Sequence, residues 1–536
     1  MSNKITIYDP TLRDGNQAAG VGLSLSDKLK IAEKLSDFGV DYIEGGWPNP
    51  TNQIDTAFYK EIRKLNIKSK IAAFGSTKRP KTNIDEDPFI GDLVAASQYG
   101  TGVCTIYGKS WKLHAVEIIR CTPQENLDMI AESIEHLLGY YDEVIFDAEH
   151  FFDGYKDDPE YAIEVLKTAK QAGASYLVLC DTNGGLLPSE FMRIFENVKL
   201  KMKDANLGVH LHNDAGCAEA NSIIGVEMGA VQVQGTINGI GERCGNANLC
   251  TIIPALQLKL GMQLVSAEKM SKLKELSVSV SDIANIGHNP SLPFVGDNAF
   301  THKAGAHADG VRKNSLSFEH IPPESVGNSR RLLVSDQSGR GAILEFLKRI
   351  LKKDIDKNDD IVNTILKKVK TLEAKGYHFE MAQATLELLV YKEMNVFIAP
   401  FETKSFRVIE DKNGVQNPIS EATIKIFDNK TKKEIHTAAN GDGPVNALHN
   451  ALMKAIGEWY PSIKNVHLKD FKVRVLEGSK GTEAFVRVLI ESNDGINSWG
   501  TIGVSTNIIE ASWNALLDSV YYKLLKEGNV TSDTDF

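Results

Sequence analysis

No two of the six cysteines in this 536-residue chain stand in Cys-x-x-Cys spacing, and none lies beyond Cys250. Cys104, Cys121, Cys180, Cys217, Cys244 and Cys250 therefore read as reduced thiols of a cytosolic protein, without a disulfide frame or a zinc ribbon. Long apolar runs are missing too. Nowhere do about 18 apolar residues follow one another, the least that spans a bilayer as a helix. The opening Met1-Ser2-Asn3-Lys4 leads straight into Ile5-Thr6-Ile7-Tyr8, with no apolar signal core between. Positive charge is not in excess. Lys plus Arg number 60 against 70 Asp plus Glu, a net charge of −10, which gives no electrostatic reason to coat nucleic acid. A local basic pocket for an anionic ligand stays open. What remains is a soluble multi-domain enzyme or binding protein, of three or four domains at about 150 residues each or of one large domain plus appendages.

Residues 1–265 alternate short β-type runs with amphipathic helical stretches. The runs are Ile5–Asp9, Tyr42–Trp47, Lys70–Gly75, Gly102–Gly108, Glu143–Ala148, Tyr176–Asp181, Leu207–His212 and Ala230–Gly235. Between the first two, Ser26-Asp27-Lys28-Leu29-Lys30-Ile31-Ala32-Glu33-Lys34-Leu35 has apolar residues at helical spacing after a Ser/Asp start signal. Eight β-α units in about 250 residues is the period of a (β/α)8 TIM barrel, an α/β fold. A doubly wound open sheet is the alternative, because periodicity does not show closure.

In residues 266–395 the strand pattern stops. Helical stretches Met270–Ile286, Gly341–Asp354 and Asp360–Ala374 alternate with turn-rich pieces such as Asn289-Pro290-Ser291-Leu292-Pro293, and read as helical linker subdomains. Residues 396–536 carry a repeat. Ala422-Thr423-Ile424-Lys425-Ile426 is echoed 62 residues later by Ala484-Phe485-Val486-Arg487-Val488. Each run leads through turn residues to a helix, Pro444–Ile456 and Thr506–Leu525. Two strand-turn-strand-helix copies suggest a small α/β module with internal pseudo-symmetry. It shows no catalytic cluster, so binding, regulation or a dimer face is its expected use.

In a barrel, chemistry collects at the C-terminal strand ends. Polar residues stand there in number: Asp9 through Gln17, Glu44-Gly45-Gly46-Trp47-Pro48, Asp147-Ala148-Glu149-His150, Asp181-Thr182-Asn183, His210-Leu211-His212-Asn213-Asp214, and Gly239 through Asn246. His210 and His212, two apart on a strand, project from one face. On its own the tripeptide reads as a polar strand end; with Asp14 from the first strand, adjacent to the eighth in a closed barrel, and the polar residues at the other strand ends, it reads as a two-His, one-carboxylate set for a divalent metal. Asn246 is a further ligand or a partner behind one. Arg13 beside Asp14 reads either as a surface ion pair, worth little, or, where a substrate oxygen would lie against the metal, as a group that stabilises its charge. Glu44 and Glu149 are orienting groups or general bases; salt bridges to Arg13 or Arg243 are the other reading. Gly239-Ile240-Gly241-Glu242-Arg243-Cys244-Gly245 has the wrong spacing for a dinucleotide loop and reads as loop geometry near a ligand.

Three segments carry a family likeness: Thr11-Leu12-Arg13-Asp14-Gly15-Asn16-Gln17, His210-Leu211-His212-Asn213-Asp214 and Gly239 through Asn246. Together they resemble the acyl-CoA condensing enzymes of the DRE-TIM metallolyase superfamily, the isopropylmalate, homocitrate and citramalate synthases. The likeness continues in Thr301 through Gly310 and in the repeat module, which is similar to these enzymes' feedback-inhibition domain. Asp41 through Pro48, Leu179 through Gly185 and Ser498-Trp499-Gly500-Thr501 resemble one citramalate synthase branch. The resemblance implies condensation of acetyl-CoA, pyruvate and water to (R)-citramalate and CoA, the entry to a threonine-independent isoleucine route in the cytoplasm. It implies Asp14, His210, His212 and Asn246 as ligands of Mn²⁺, Mg²⁺ or Zn²⁺. Arg13 and Glu149 would be catalytic, and His307 would assist from the linker, in some relatives from the partner subunit of a homodimer. Arg13, Glu44 and Thr182 would bind substrate, and isoleucine would be the feedback effector. Where some relatives carry a tyrosine ten residues after that histidine, this chain has Ser317, and its neighbour Phe318 lacks a hydroxyl.

The near alternative is a 2-isopropylmalate or homocitrate synthase acting on a larger 2-keto acid, since one methylene is worth only about 1–3 kcal/mol of discrimination. A lyase would leave the repeat module unexplained. A biotin-dependent carboxyltransferase would need an Ala-Met-Lys-Met type sequence, which is absent. A ligand sensor with a dead barrel is disfavoured by the intact Arg13, Asp14, His210 and His212.

Overall fold

A computed structural model describes residues 5–303, 305–332, 334, 340–356, 359–412, 418–476 and 483–528. Eight parallel strands close into a barrel in sequence order, with β1 pairing both β2 and β8. They are β1 (Thr6–Asp9), β2 (Tyr42–Gly46), β3 (Lys70–Ser76), β4 (Val103–Lys109), β5 (Glu143–Glu149), β6 (Tyr176–Asp181), β7 (Leu207–Leu211) and β8 (Gln232–Gln234). Closure excludes the open doubly wound sheet. All eight expected runs are strands. Parallel barrel strands are covered on both faces, by helices outside and by one another inside, so they read as compact apolar segments.

The first helix, Leu25–Phe38, begins at Ser24, whose side chain accepts from the Asp27 backbone while Asp27 reaches back to the Ser24 amide. Its left-handed end falls on Gly39, at φ 105°. Ile31, Ala32, Leu35 and Phe38 bury against the strands. Lys28 is on that buried face as well, only 1% exposed. Its ammonium pairs with Asp55 and donates to the Gly45 carbonyl at 3.1 Å. Asp55 also accepts from the Trp47 amide at 2.9 Å and from Asn52 at 2.7 Å. This buried group therefore anchors the outgoing end of β2, the strand that carries Glu44. Gly46 follows at φ 137°, where a Cβ would lie 2.2 Å from the Asp55 carboxylate. Removing one partner of a buried ion pair leaves the other charge uncompensated. Lys28→Met is therefore expected to destabilise the barrel by about 3–5 kcal/mol, read from its urea midpoint; a loss under about 1 kcal/mol would assign the pair no structural weight.

The chain divides into two compact units, Met1–Phe300 with Ile321–Arg330, and Thr301–His320 with Arg331–Phe536. The first holds the barrel and, packed on it, the helix Leu273–Ile283. In the second, short β9 (Thr301–His302) pairs with β10 (Arg331–Leu332), and helices Arg340–Leu351, Asp360–Ala374 and Gln383–Glu393 follow. Two antiparallel sheets come next: β11 (Phe401–Asp411), β12 (Ile419–Asp428) and β13 (Glu434–Gly441), then β14 (His467–Val475), β15 (Val486–Asn493) and β16 (Ser498–Ser505). Helices Pro444–Ile456 and Ile508–Lys526 follow the respective sheets. Leu448, Leu452, Leu516 and Val520 bury with Ile424, Ile426, Val488 and Ile490 in one core. The repeat is therefore three strands and a helix, one strand more per copy than the sequence echo suggests.

All six cysteines are free. Among the described residues, no helix is long and apolar enough to cross a membrane.

Candidate active site

The upper lumen of the barrel is lined by buried polar groups. Tyr8 on β1 donates to Glu44 on β2 at 2.6 Å and lies 2.8 Å from Thr105 on β4. Asp147 on β5 accepts from Gln234 on β8 at 3.1 Å. Neither β1 and β4 nor β5 and β8 are neighbours in the sheet, so these side chains meet inside the barrel. Burial without full compensation shows in Asp147, whose carboxyl is pushed up to about 7.

Above this layer, Asp14, His210 and His212 converge, their ligand atoms all within 4.8 Å of one another. Asp14 Oδ2 is 3.3 Å from His210 Nε2 and 4.0 Å from His212 Nε2. Burial alone would raise the Asp14 carboxyl, but Arg13 and His210 outweigh it and hold the group well below the usual carboxylate range. Burial, helped by the charge of His210, takes His212 down to about 4, so its imidazole is neutral at pH 7. Asn246 is tied to His212 by an antiparallel bridge. Its Nδ2 donates to the Ile240 carbonyl at 3.3 Å, while its Oδ1 is buried without a partner. The glycine-containing loop makes this approach possible. Gly245 sits at φ 90° with no room for a Cβ beside the Gly239 carbonyl, and a Cβ on Gly241 would strike Asn246 Nδ2.

Arg13 spans the same mouth. Its Nε donates to Glu44 Oε1 at 2.5 Å and its Nη1 to Asp14 Oδ2 at 3.3 Å. Its guanidinium carbon lies 3.7 Å from the centre of the Phe74 ring. Glu44 thus has the salt bridge to Arg13 that its sequence position allowed. Glu149, ending β5, pairs instead with Lys109 at the end of β4, not with Arg13 or Arg243. Arg243 grips both oxygens of Asp214, at 2.9 and 3.1 Å, and donates to the Thr182 carbonyl at 2.7 Å, tying together the loops after β6, β7 and β8. The Thr182 hydroxyl accepts from the His150 amide at 2.9 Å. His307 belongs to the second unit; it is exposed, and its ring stacks on Phe318 at 4.2 Å.

Several residues of the mouth had no place in the sequence reading. Gln232 and Gln234 flank Val233 on β8, and that period-two pattern puts two amides on one face, a readable sign. Lys109, Phe74, Tyr8 and Thr105 gave no comparable signal.

A divalent cation fits the donors present. Two imidazole nitrogens, one carboxylate oxygen and one amide oxygen are suited to it, and the unpartnered Asn246 Oδ1 is an acceptor left for such a partner.

A closed barrel with a buried Asp-His-His cluster at its mouth defines a class, and the comparisons agree: the HMGL-like family profile matches residues 4–280. A homocitrate synthase post-HMGL domain-like profile matches 294–377, and a LeuA allosteric (dimerisation) domain profile matches 380–524. An (R)-citramalate synthase of Aquifex aeolicus is 51% identical over 98% of this chain and 99% of its own length. One of Geobacter sulfurreducens is 48% identical over 98% of each chain. A 2-isopropylmalate synthase of Methanocaldococcus jannaschii is 33% identical over 98% of this chain and 95% of its own. The chain belongs to the family of acyl-CoA condensing synthases that these relatives represent.

Proposed function

We propose that this chain condenses acetyl-CoA with pyruvate and water to give (R)-citramalate and CoA. It is an acyltransferase of the Claisen type. The choice of keto acid is supported by one observation, the full-length likeness of 51% and 48% to enzymes named for that product, against 33% to a 2-isopropylmalate synthase.

In this reading residues 1–265 are the catalytic barrel, 266–395 the linker subdomains and 396–536 the regulatory module. Asp14, His210, His212 and Asn246 hold a divalent cation, Mn²⁺, Mg²⁺ or Zn²⁺. Bound there, the cation supplies Lewis acidity that makes the keto carbon of the substrate electrophilic. Arg13 directs its guanidinium at the oxygen on which negative charge develops as the carbon–carbon bond forms. Thr182 and Glu44 orient the keto acid, Thr182 through its hydroxyl against the carboxylate. Glu149 or His307 takes the proton from the acetyl methyl group, and water then cleaves the thioester. The module is a dimerisation domain by family; that the assembly is a cytoplasmic homodimer regulated by isoleucine belongs to the proposal.

CoA release, followed with a thiol reagent, tests this on the metal-loaded protein with acetyl-CoA and a panel of keto acids. Release is expected with pyruvate and not with larger keto acids, and added isoleucine should slow it. Preference for 2-oxoisovalerate or 2-oxoglutarate would make it an isopropylmalate or homocitrate synthase; silence with every keto acid would sink all three.

A further inference from the structure

Gln234 is the last residue of β8 and is fully buried. Its Nε2 donates to Asp147 Oδ1 at 3.1 Å and to Gln232 Oε1 at 3.3 Å, and its Oε1 lies 2.8 Å from His210 Nδ1. Turned end for end, the amide would set its oxygen against a carboxylate and a carbonyl, so Oε1 faces the histidine. An amide oxygen only accepts, so the imidazole nitrogen opposite must donate. The other nitrogen of that ring, Nε2, faces Asp14 Oδ2 at 3.3 Å, longer than the about 2.7–2.9 Å of a charge-assisted hydrogen bond, so the 2.8 Å contact with Gln234 is the tighter hold on the ring's proton.

We propose that Gln234 is a positioning residue that keeps the proton of His210 on Nδ1 and so aims the Nε2 lone pair at the Asp14 cluster. The inference rests on the reading of that cluster as a cation site. Groups behind a ligand fix its ring angle and tautomer, and a carboxylate or backbone carbonyl is the commoner choice. A side-chain amide holds the same proton without adding a third carboxyl to a lumen that already contains Glu44 and Asp147. Asp147 and Gln232, from β5 and β8, lock the amide in turn. His212 has no such support: its Nδ1 is buried without a partner. The two histidines are therefore unequal, and His210 is the one whose aim the fold sets in advance.

Two variants of the full chain test this, Gln234→Met, which has similar length and no acceptor, and Gln234→Glu, which keeps the acceptor. Long-range ¹H–¹⁵N spectra of the metal-free, ¹⁵N-histidine-labelled protein, at a pH where the imidazole is neutral, locate the proton. Titration with Mn²⁺, followed by electron paramagnetic resonance, measures affinity. His210 is expected to carry its proton on Nδ1 in the wild type and in Gln234→Glu. In Gln234→Met the Nε2-protonated form should appear and Mn²⁺ should bind about 10–100-fold more weakly, with kcat at saturating Mn²⁺ changing less. A bare Nδ1 in the wild type overturns the proposal whether or not the methionine variant folds. So does a folded Gln234→Met with unchanged proton position and Mn²⁺ affinity. A shifted proton with no Mn²⁺ bound by any form would refute the cation site and leave the positioning role standing.

Discussion

His210→Ala is expected to lower turnover by about 10³-fold or more and to strip the protein of its divalent metal while leaving the barrel folded. The size follows from what the site is asked to supply. Polarisation of a carbonyl by a bound cation is worth several kcal/mol, and each 1.36 kcal/mol is tenfold in rate. The substitution removes one of the two imidazoles whose Nε2 atoms face Asp14, at 3.3 and 4.0 Å, and the remaining His212 is the less supported of the pair. Folding should survive, because the ring lies at the mouth, above the apolar side chains of Ala72, Val103, Ile145 and Val178, and its loss leaves one buried acceptor, Gln234 Oε1, without its partner. Metal content after dialysis, and kcat at rising Mn²⁺, distinguish weak binding from absent chemistry. Unchanged metal stoichiometry in a folded His210→Ala would move the cation site elsewhere.

That this cluster could be read from the sequence has a physical cause. His-x-His on a strand fixes two side chains to one face by the pleat alone, and closure of eight β-α units brings β1 beside β8 and hence Asp14 beside them. The strands were legible because burial on two sides demands compact apolar runs. Their bounds differ from the observed ones by one or two residues, as hydrogen bonding and not hydrophobicity decides where a strand stops. Lys28 was illegible: in its helix it looks like one more solvated lysine, and only its 1% exposure against Asp55 reveals an interior ion pair. Lys109, as the partner of Glu149, is a contact between two strand ends 40 residues apart, which no local pattern encodes. Strands β11 and β14 were missed because both are edge strands with largely exposed residues, so neither shows a buried face to the eye.

Arg13→Lys, by contrast with His210→Ala, should keep the metal and still lose about 10²–10³-fold in kcat, the usual cost of removing a donor that stabilises developing charge. The guanidinium is held from three sides, by Glu44 at 2.5 Å, by Asp14 at 3.3 Å and by the face of Phe74 at 3.7 Å. Glu44 is itself fixed by Tyr8 at 2.6 Å inside the lumen, so the chain of support runs down into the barrel. An arginine has five N–H donors in a rigid fork. These contacts engage the Nε donor and one on Nη1, and the second Nη1 donor and both of Nη2 are those the fork can offer to a substrate oxygen. A lysine ammonium has one nitrogen on a flexible stem. It can answer Asp14 or Glu44, but it cannot satisfy both, lie flat on Phe74 and still present a preorganised donor. The charge is conserved and the geometry is lost, so the penalty should fall on kcat more than on the KM for the keto acid, since charge on that oxygen grows only as the bond forms. Glu44→Gln tests the support separately: its single amide oxygen can still accept from Arg13 while its NH2 turns to the Tyr8 oxygen as a donor, so it should cost less than Arg13→Lys. If Arg13→Lys retains wild-type kcat with full metal content, the guanidinium is a structural strut for Asp14 and Glu44, and the developing charge must be met by another group at the mouth.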